Sequence, residues 1–314
     1  MKIENNPNVK IKKRNRITSR EWSLYSMCAI PMILVFVFCY LPMGGIIIAF
    51  KNYKFNKGIF GSDWVGFKNF EYFFTTNDFW RITRNTIVMN LLFIFIGLFC
   101  AVGLAILLYE LKSRAATRVY QTMLITPHFV SMVIVSYMLY AFLHPQNGIL
   151  NQFLVNFLHL EKVDWYATPM AWPFILVICH IWKATGMNCV IYYAALMGID
   201  QSLFEAARID GANKRQIVWH IIVPCLTSLM TIMTILNIGG IFRADFGMFY
   251  QLPRDIGTLY PTTDVIDTYI FRTMRVIGDM GMSSAVGLLQ SIVGIIMVCT
   301  TNSISKKVSE ISLF

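Results

Sequence analysis

The chain alternates long stretches without charge with shorter ones crowded with it. Six apolar runs stand out, at 24–50, 86–109, 119–143, 170–197, 221–242 and 284–301, each near or above the ~20 residues a helix needs to cross a bilayer. Within hydrocarbon a helix satisfies its own backbone donors, so each run predicts a membrane-spanning helix. Lys10, Lys12, Lys13, Arg14, Arg16 and Arg20 precede the first run as they would a secretory leader. That run has 27 residues, too many for a leader core, and no A-x-A site follows, which predicts an uncleaved span. A shorter pattern, Ile149, Leu150, Phe153, Leu154, Phe157 and Leu158 among Asn151, Gln152, Asn156 and His159, predicts an amphipathic helix along the outer surface. The expected class is all-α and integral to a membrane, with six transmembrane helices over 24–301 between a basic tail 1–23 and a tail 302–314.

Composition narrows the function. Of 314 residues 56% are hydrophobic and 14% charged, against about 25% charged in soluble domains. A soluble enzyme and a nucleic-acid partner are excluded, and the +10 charge belongs to a membrane surface. With the N-terminus placed inside, the inner segments hold fifteen basic and seven acidic residues and the outer segments eleven and ten. This excess predicts cytoplasmic termini. Trp22, Tyr25, Tyr109, Tyr140 and Trp172 stand near span ends, as interfacial anchors do.

Several chemistries are missing. Seven cysteines without a C-x-x-C pair read as buried free thiols, and five histidines without H-E-x-x-H offer no metal spacing. There is no G-x-x-x-x-G-K-[ST], so no nucleotide or other cofactor is expected in this chain, nor catalysis of its own. All 17 acids lie outside the six runs, which disfavours the main rival class, an ion-coupled secondary transporter with carboxylates in its spans. A membrane hydrolase would need a nucleophile beside a base, and none is legible. Asp255, Asp264, Asp267, Arg272, Arg275 and Asp279 in the last outer loop read as a solvated face.

The segment 198–224 carries the densest local information. Ser202 and Glu205 fit an S-x-x-E capping box that would start a helix at Leu203, and Gly211 supplies the left-handed residue to end it. Asn213 suits the cap of a second helix, which runs into the fifth span, where Pro224 permits a bend. A two-turn helix is marginal in water. It needs a partner groove, into which Phe204 would insert while Ala206 and Ala207 allow close approach and Glu205 and Asp210 offer charge, or else it lies on the headgroups as an elbow.

Glu205-Ala206-Ala207, three residues, Gly211, nine residues, then Ile221-x-Val223-Pro224 resembles the E-A-A-x3-G-x9-I-x-L-P signature of permease subunits of binding-protein-dependent ABC importers, with Val223 for Leu. Trp64-Val-Gly-Phe-Lys-Asn-Phe70, Leu196-Met-Gly-Ile-Asp200 and Asp264-Val-Ile-Asp-Thr-Tyr-Ile-Phe-Arg272 extend the resemblance to the maltose-type sugar branch, and within it to permeases for complex oligosaccharides such as aldouronates or alginate. The resemblance implies the type I importer permease fold in a bacterial cytoplasmic membrane, with the E-A-A helix as the cytoplasmic coupling helix. It further implies alternating access, a second homologous permease forming a heterodimer, two ATPase subunits that bind ATP and Mg, and an extracytoplasmic sugar-binding protein. A permease of the same kind serving a non-sugar solute is the nearer alternative.

Candidate path residues follow from polar groups in the spans. His180, Lys183, Ala184, Met187, Asn188 and Ile191 share one stripe of the fourth span. A charge at Lys183 costs at least ~2.5 kcal/mol in a bilayer, so it faces either a wet path or a neighbouring carbonyl or subunit. Gly239 and Gly240 are expected to break the fifth span and free backbone groups beside a cavity. Trp182, Tyr192, Asn237, Phe242, Arg243 and Tyr140 complete the set suited to sugar rings and hydroxyls. Lys183 and Arg243 together would favour an acidic sugar.

Overall fold

The computed structural model describes residues 19–309; the basic N-terminal tail before residue 19 and the last five residues lie outside them. Two units are distinguished, 1–47 and 48–314.

The first unit holds most of the span Trp22–Phe50. Its helix widens into a π turn at Phe36–Tyr40 just before Pro42. A proline ring collides with the carbonyl four residues earlier and offers it no N–H. The helix absorbs this by shifting register, with the Leu41 N–H donating to the Phe36 carbonyl.

Within the second unit the apolar spans are Asp78–Tyr109, Pro169–Met197, Lys214–Gly239 and Met280–Lys306, and a fifth apolar stretch is broken. The helix expected over 119–143 is two helices, Arg114–Phe129 and Met132–Leu143, bent by 96°. The cause is local: Pro127 sits in a 3-10 turn, Val130 and Ser131 are extended, and the Ser131 hydroxyl caps the next helix by accepting from the Ile134 N–H. The fifth span repeats the proline device of the first, with a π turn at Val218–Ile222 immediately before Val223 and Pro224.

The second span begins at Asp78, eight residues before the apolar run, and includes Arg81 and Arg84. Its buried positions Ile82, Thr86, Met89, Phe93, Gly97, Ala101, Ala105 and Leu108 recur at three- and four-residue steps, a stripe that packs along Trp172–Met197. A two-residue antiparallel pair, Lys51–Asn52 with Asp63–Trp64, adds minimal strand to the helical class. The predicted surface helix is present as Ile149–Leu158. Buried Asn151 pins it, donating to the carbonyls of His144, Pro145 and Val163 and accepting from Trp165 Nε1.

A close helix approach at Gly186 joins the fourth span to the first half of the broken one. A Cβ added at Gly186 would stand 1.7 Å from the Leu124 carbonyl oxygen. Gly186→Ala is expected to destabilise the protein at or beyond the ~3 kcal/mol upper range for overpacked cores, because the obstacle is backbone. A melting curve of the purified variant in detergent that overlays wild type would refute this.

All seven cysteines are free, but only Cys189 is buried; Cys28, Cys39, Cys225 and Cys299 are exposed on this chain, which corrects the buried-thiol reading.

Candidate functional site

The segment after the fourth span forms the predicted short helix with a different start. It runs Gln201–Ile209, and its cap is Asp200, whose Oδ1 accepts from the Ser202 N–H at 3.0 Å. That hydrogen bond holds the Asp200 carboxyl below its ordinary range. The Ser202–Glu205 capping box is therefore not the device used, because both residues already lie inside the helix. The predicted end is found: Gly211 has φ +78°, its N–H donates to the Arg208 carbonyl, and the Ala212 N–H reaches back to the Ala207 carbonyl at 2.9 Å. Asn213 and Gln216 then form a reciprocal capping box for the helix that becomes the fifth span.

Phe204 is not offered outward. It is 3% exposed and packs in the cluster of Leu108, Leu196, Ile222 and Leu226, with its ring 5.7 Å from that of Tyr109. The outward face carries Leu203 and Ile209, the latter 86% exposed, together with Glu205, Ala206 and Asp210. Gln201 Nε2 donates to the Tyr109 hydroxyl at 3.0 Å and Lys214 pairs with Glu110 at 2.6 Å. Helix Gln201–Ile209 is thus tied to the end of the second span on both flanks.

Nearer the other end of the bundle, three spans enclose a cavity of about 420 Å³. The second contributes Asn90, Phe93 and Gly97, the fourth His180, Ala184, Asn188 and Tyr192, and the fifth Thr234, Asn237 and Gly240, with Arg243 and Asp245 just beyond. The cavity gathers His180, Asn188, Tyr192, Asn237, Gly240 and Arg243 from the sequence-derived set. The His180 ring is stacked on Phe93 at 4.0 Å. Phe242 and Arg243 line a second cavity of about 450 Å³ with Gln290, Ser291 and Cys299.

Four candidates stand elsewhere. Tyr140 packs under Arg254, with 4.3 Å from ring centroid to guanidinium carbon; Trp182 is 44% exposed; and Met187 lines neither cavity. Lys183 is held by backbone: its Nζ donates to the carbonyls of Pro127, His128 and Val130. Those of His128 and Val130 lie at the break in the third span, where no backbone donor reaches them among the described residues, while the Pro127 carbonyl also accepts the Val130 N–H. Among the two settings open to Lys183, the neighbouring carbonyls are the one observed.

The glycine break is as expected, and its partners were not foreseen. The fifth span stops at Gly239, and Asn90 Nδ2 donates to the freed carbonyls of Ile241 and Arg243. Gln290 Nε2 donates to the Phe242 carbonyl and to Asp267 Oδ2, which also accepts from the Ala244 N–H. Burial pushes the Asp267 carboxyl above its usual range against these bonds. Asn90 and Gln290 are amides isolated in apolar runs, a signal that could have found them.

The acidic last loop is in part a buried network: Asp264, Asp267 and Arg272 are drawn in, whereas Arg275 and Asp279 are exposed as expected of a solvated face. Asp264 accepts from Arg81 at 3.0 Å, Arg272 at 2.7 Å and the Thr268 hydroxyl at 2.9 Å. Arg272 also lies over Tyr260 and 3.5 Å from Asp255. Since Arg81 belongs to the second span, this network fastens the loop to that span's end. Among the described residues no three His, Cys, Asp or Glu side chains are grouped to hold a metal.

A helical membrane chain with a capped elbow at one end and a three-span cavity toward the other has the architecture of a type I importer permease. The chain belongs to the family described as binding-protein-dependent transport system inner membrane component, whose model matches residues 93–310. It is 35% identical over 291 residues to Protein LplB of Bacillus subtilis (strain 168), covering 91% of this chain and 89% of that one. It is 33% identical over 291 residues to the polygalacturonan/rhamnogalacturonan transport system permease protein YteP of the same organism, covering 93% and 90%. A crystal structure of a bacterial ABC transporter involved in import of the acidic polysaccharide alginate superposes with a TM-score of 0.84 at 30% identity, covering 92% of this chain and 97% of that chain. Another, of the alginate transporter in complex with alginate pentasaccharide-bound periplasmic protein, also gives 0.84 at 30% identity, covering 94% and 97%.

Proposed function

We propose that this chain is the transmembrane subunit of an ATP-driven importer that takes up oligosaccharides, including uronate-containing ones, from an extracytoplasmic binding protein. Helix Gln201–Ile209 faces the cytoplasm, as do both termini, and docks against an ATPase subunit. A second homologous permease completes the path, and two ATPase subunits bind the ATP and Mg.

One observation carries this reading. The elbow leads directly into Lys214–Gly239, whose far end supplies Asn237 to the cavity, with Gly240 just beyond it. A push on Leu203 and Ile209 is therefore delivered along one helix to a cavity wall. Asn90 of the second span and Gln290 of the last span tie the broken end to those two helices, so that its displacement is passed on to them. The substrate class is supported by the alginate and polygalacturonan relatives, and by the cation of Arg243 among the amides of Asn90, Asn188 and Asn237.

The chain alone is expected to show neither ATP hydrolysis nor sugar flux, and the reconstituted complex to show both. Gly211→Val forces a branched side chain into the left-handed region, at a cost of roughly 1–2 kcal/mol, in a turn outside the spans. Uptake in proteoliposomes should fall about tenfold while membrane insertion is unchanged. Wild-type uptake by this variant and by Glu205→Ala would favour the headgroup elbow.

A further inference from the structure

Arg254 is held in a way that its own loop does not explain. Among the described residues only His159, Arg254 and Asp255 are non-glycine with positive φ, and the last two are consecutive, at +58° and +52°. Such residues persist only where their surroundings over-determine them. Here buried Leu252 and Pro253 anchor one side. On the other, Asp255 is fixed by the Tyr260 hydroxyl at 3.0 Å and by Arg272 at 3.5 Å.

The side chain is also seated. The guanidinium carbon lies 4.3 Å from the centre of the Tyr140 ring and 5.8 Å from that of Tyr137. Tyr166, pushed up to about 12 by burial, is drawn back by the nearby Arg254 charge. Rings under a guanidinium fix its plane and leave its in-plane donors unused. No hydrogen bond or ion pair reaches those donors from the described residues, and Arg254 is exposed. Of the other arginines of this end, Arg81, Arg84 and Arg272 are bonded within the chain, Arg243 lines the cavities, and exposed Arg275 has no ring beneath it among the described residues.

The position points to the ligand. Arg254 is at the end of the bundle opposite the elbow, outside the residues that line the two cavities. A fixed, planar cation with free donors matches a carboxylate in bidentate geometry. Its only acidic neighbour in sequence, Asp255, is already neutralised by Arg272. We propose that Arg254 is a docking contact for an acidic side chain of the extracytoplasmic binding protein, presented by the strained turn and the tyrosine seat. This rests on the importer reading and names the residue at which that partner is recognised.

The test uses the complete complex in lipid nanodiscs, with ATP hydrolysis followed as liganded binding protein is titrated. Arg254→Met keeps the stem on the tyrosine rings and removes the charge. The half-stimulating concentration should rise about tenfold, as for loss of one charge-assisted contact, with the maximal rate retained and a weaker dependence on salt. Arg254→Lys keeps the charge without the fork and should lie between. An unchanged half-stimulating concentration in Arg254→Met overturns the proposal. So does a loss confined to binding protein loaded with uronate oligosaccharide and absent with a neutral one, which would assign Arg254 to the sugar. If wild type itself is not stimulated by binding protein, the importer reading fails instead, separately from this one.

Discussion

Phe204→Ala should uncouple the transporter more completely than any substitution on the outward face of the same helix. Phe204 is the buried side chain of Gln201–Ile209, seated against Tyr109, Leu196 and Ile222. Truncating a buried phenylalanine costs about 3–5 kcal/mol. A nine-residue helix has no independent stability to offset that, and each cap is worth only about 1 kcal/mol. Losing ~3 kcal/mol lowers the seated population roughly a hundredfold if the seated and released states differ by little else. The expected phenotype is a chain that inserts and assembles its cavity, with ATP-driven uptake down by one to two orders of magnitude. Ile209→Ala, by contrast, leaves the helix seated and should weaken retention of the ATPase subunits during purification. Uptake and ATPase co-purification, measured side by side, separate the two effects. Near-normal uptake by Phe204→Ala would mean that the segment orders itself on its partner, not on its own spans.

The division between what could and could not be read in advance follows the range of the forces involved. Bilayer-spanning runs are set by local hydropathy, and five of the six expected spans are found with shifted ends. The exception, 119–143, is continuous in hydropathy yet broken in backbone, because Pro127 and the Ser131 cap act on donors and not on apolarity. The signal was present in those two residues. The elbow's end at Gly211 and its second cap at Asn213 were legible because both are decided within four residues. Its start was not, since Asp200 and Ser202 are both acceptable caps and only the packing of Phe204 on Tyr109 selects the frame. Long-range partners were out of reach altogether. Arg81 lies 183 residues from Asp264, and a charge count over the last loop sees acids without the second-span arginine that buries them. Lys183 shows the same limit, because its partners are backbone carbonyls and carry no residue code.

Charge selection is where Lys183 and Arg243 part. A lysine ammonium has three donors and no more, and those of Lys183 go to Pro127, His128 and Val130. Nothing is left for a substrate carboxylate, and the positive charge sits at the C-terminal end of helix Arg114–Phe129, where it offsets the helix dipole by up to ~2 kcal/mol. Lys183→Met therefore leaves the His128 and Val130 carbonyls at the 96° bend without this donor, while Pro127 keeps the Val130 N–H, at about 1–3 kcal/mol for each one kept from water. Uptake of matched neutral and uronate oligosaccharides by the complete complex should then fall in parallel, by about tenfold or more. Arg243 lines both cavities, and among the described residues no carboxylate lies within ion-pair distance of it, although its charge reaches Asp267. A uronate near it gains up to about 4 kcal/mol at close contact in a partly wet site, which water and the neighbouring Asp245 reduce to a tenfold preference or so. Arg243→Met should lower uronate uptake by about that factor and leave neutral uptake within a few-fold of wild type. The reverse pattern, with Lys183→Met selective for the acidic sugar and Arg243→Met indifferent to it, would return the lysine to the path and require the bend to open during transport.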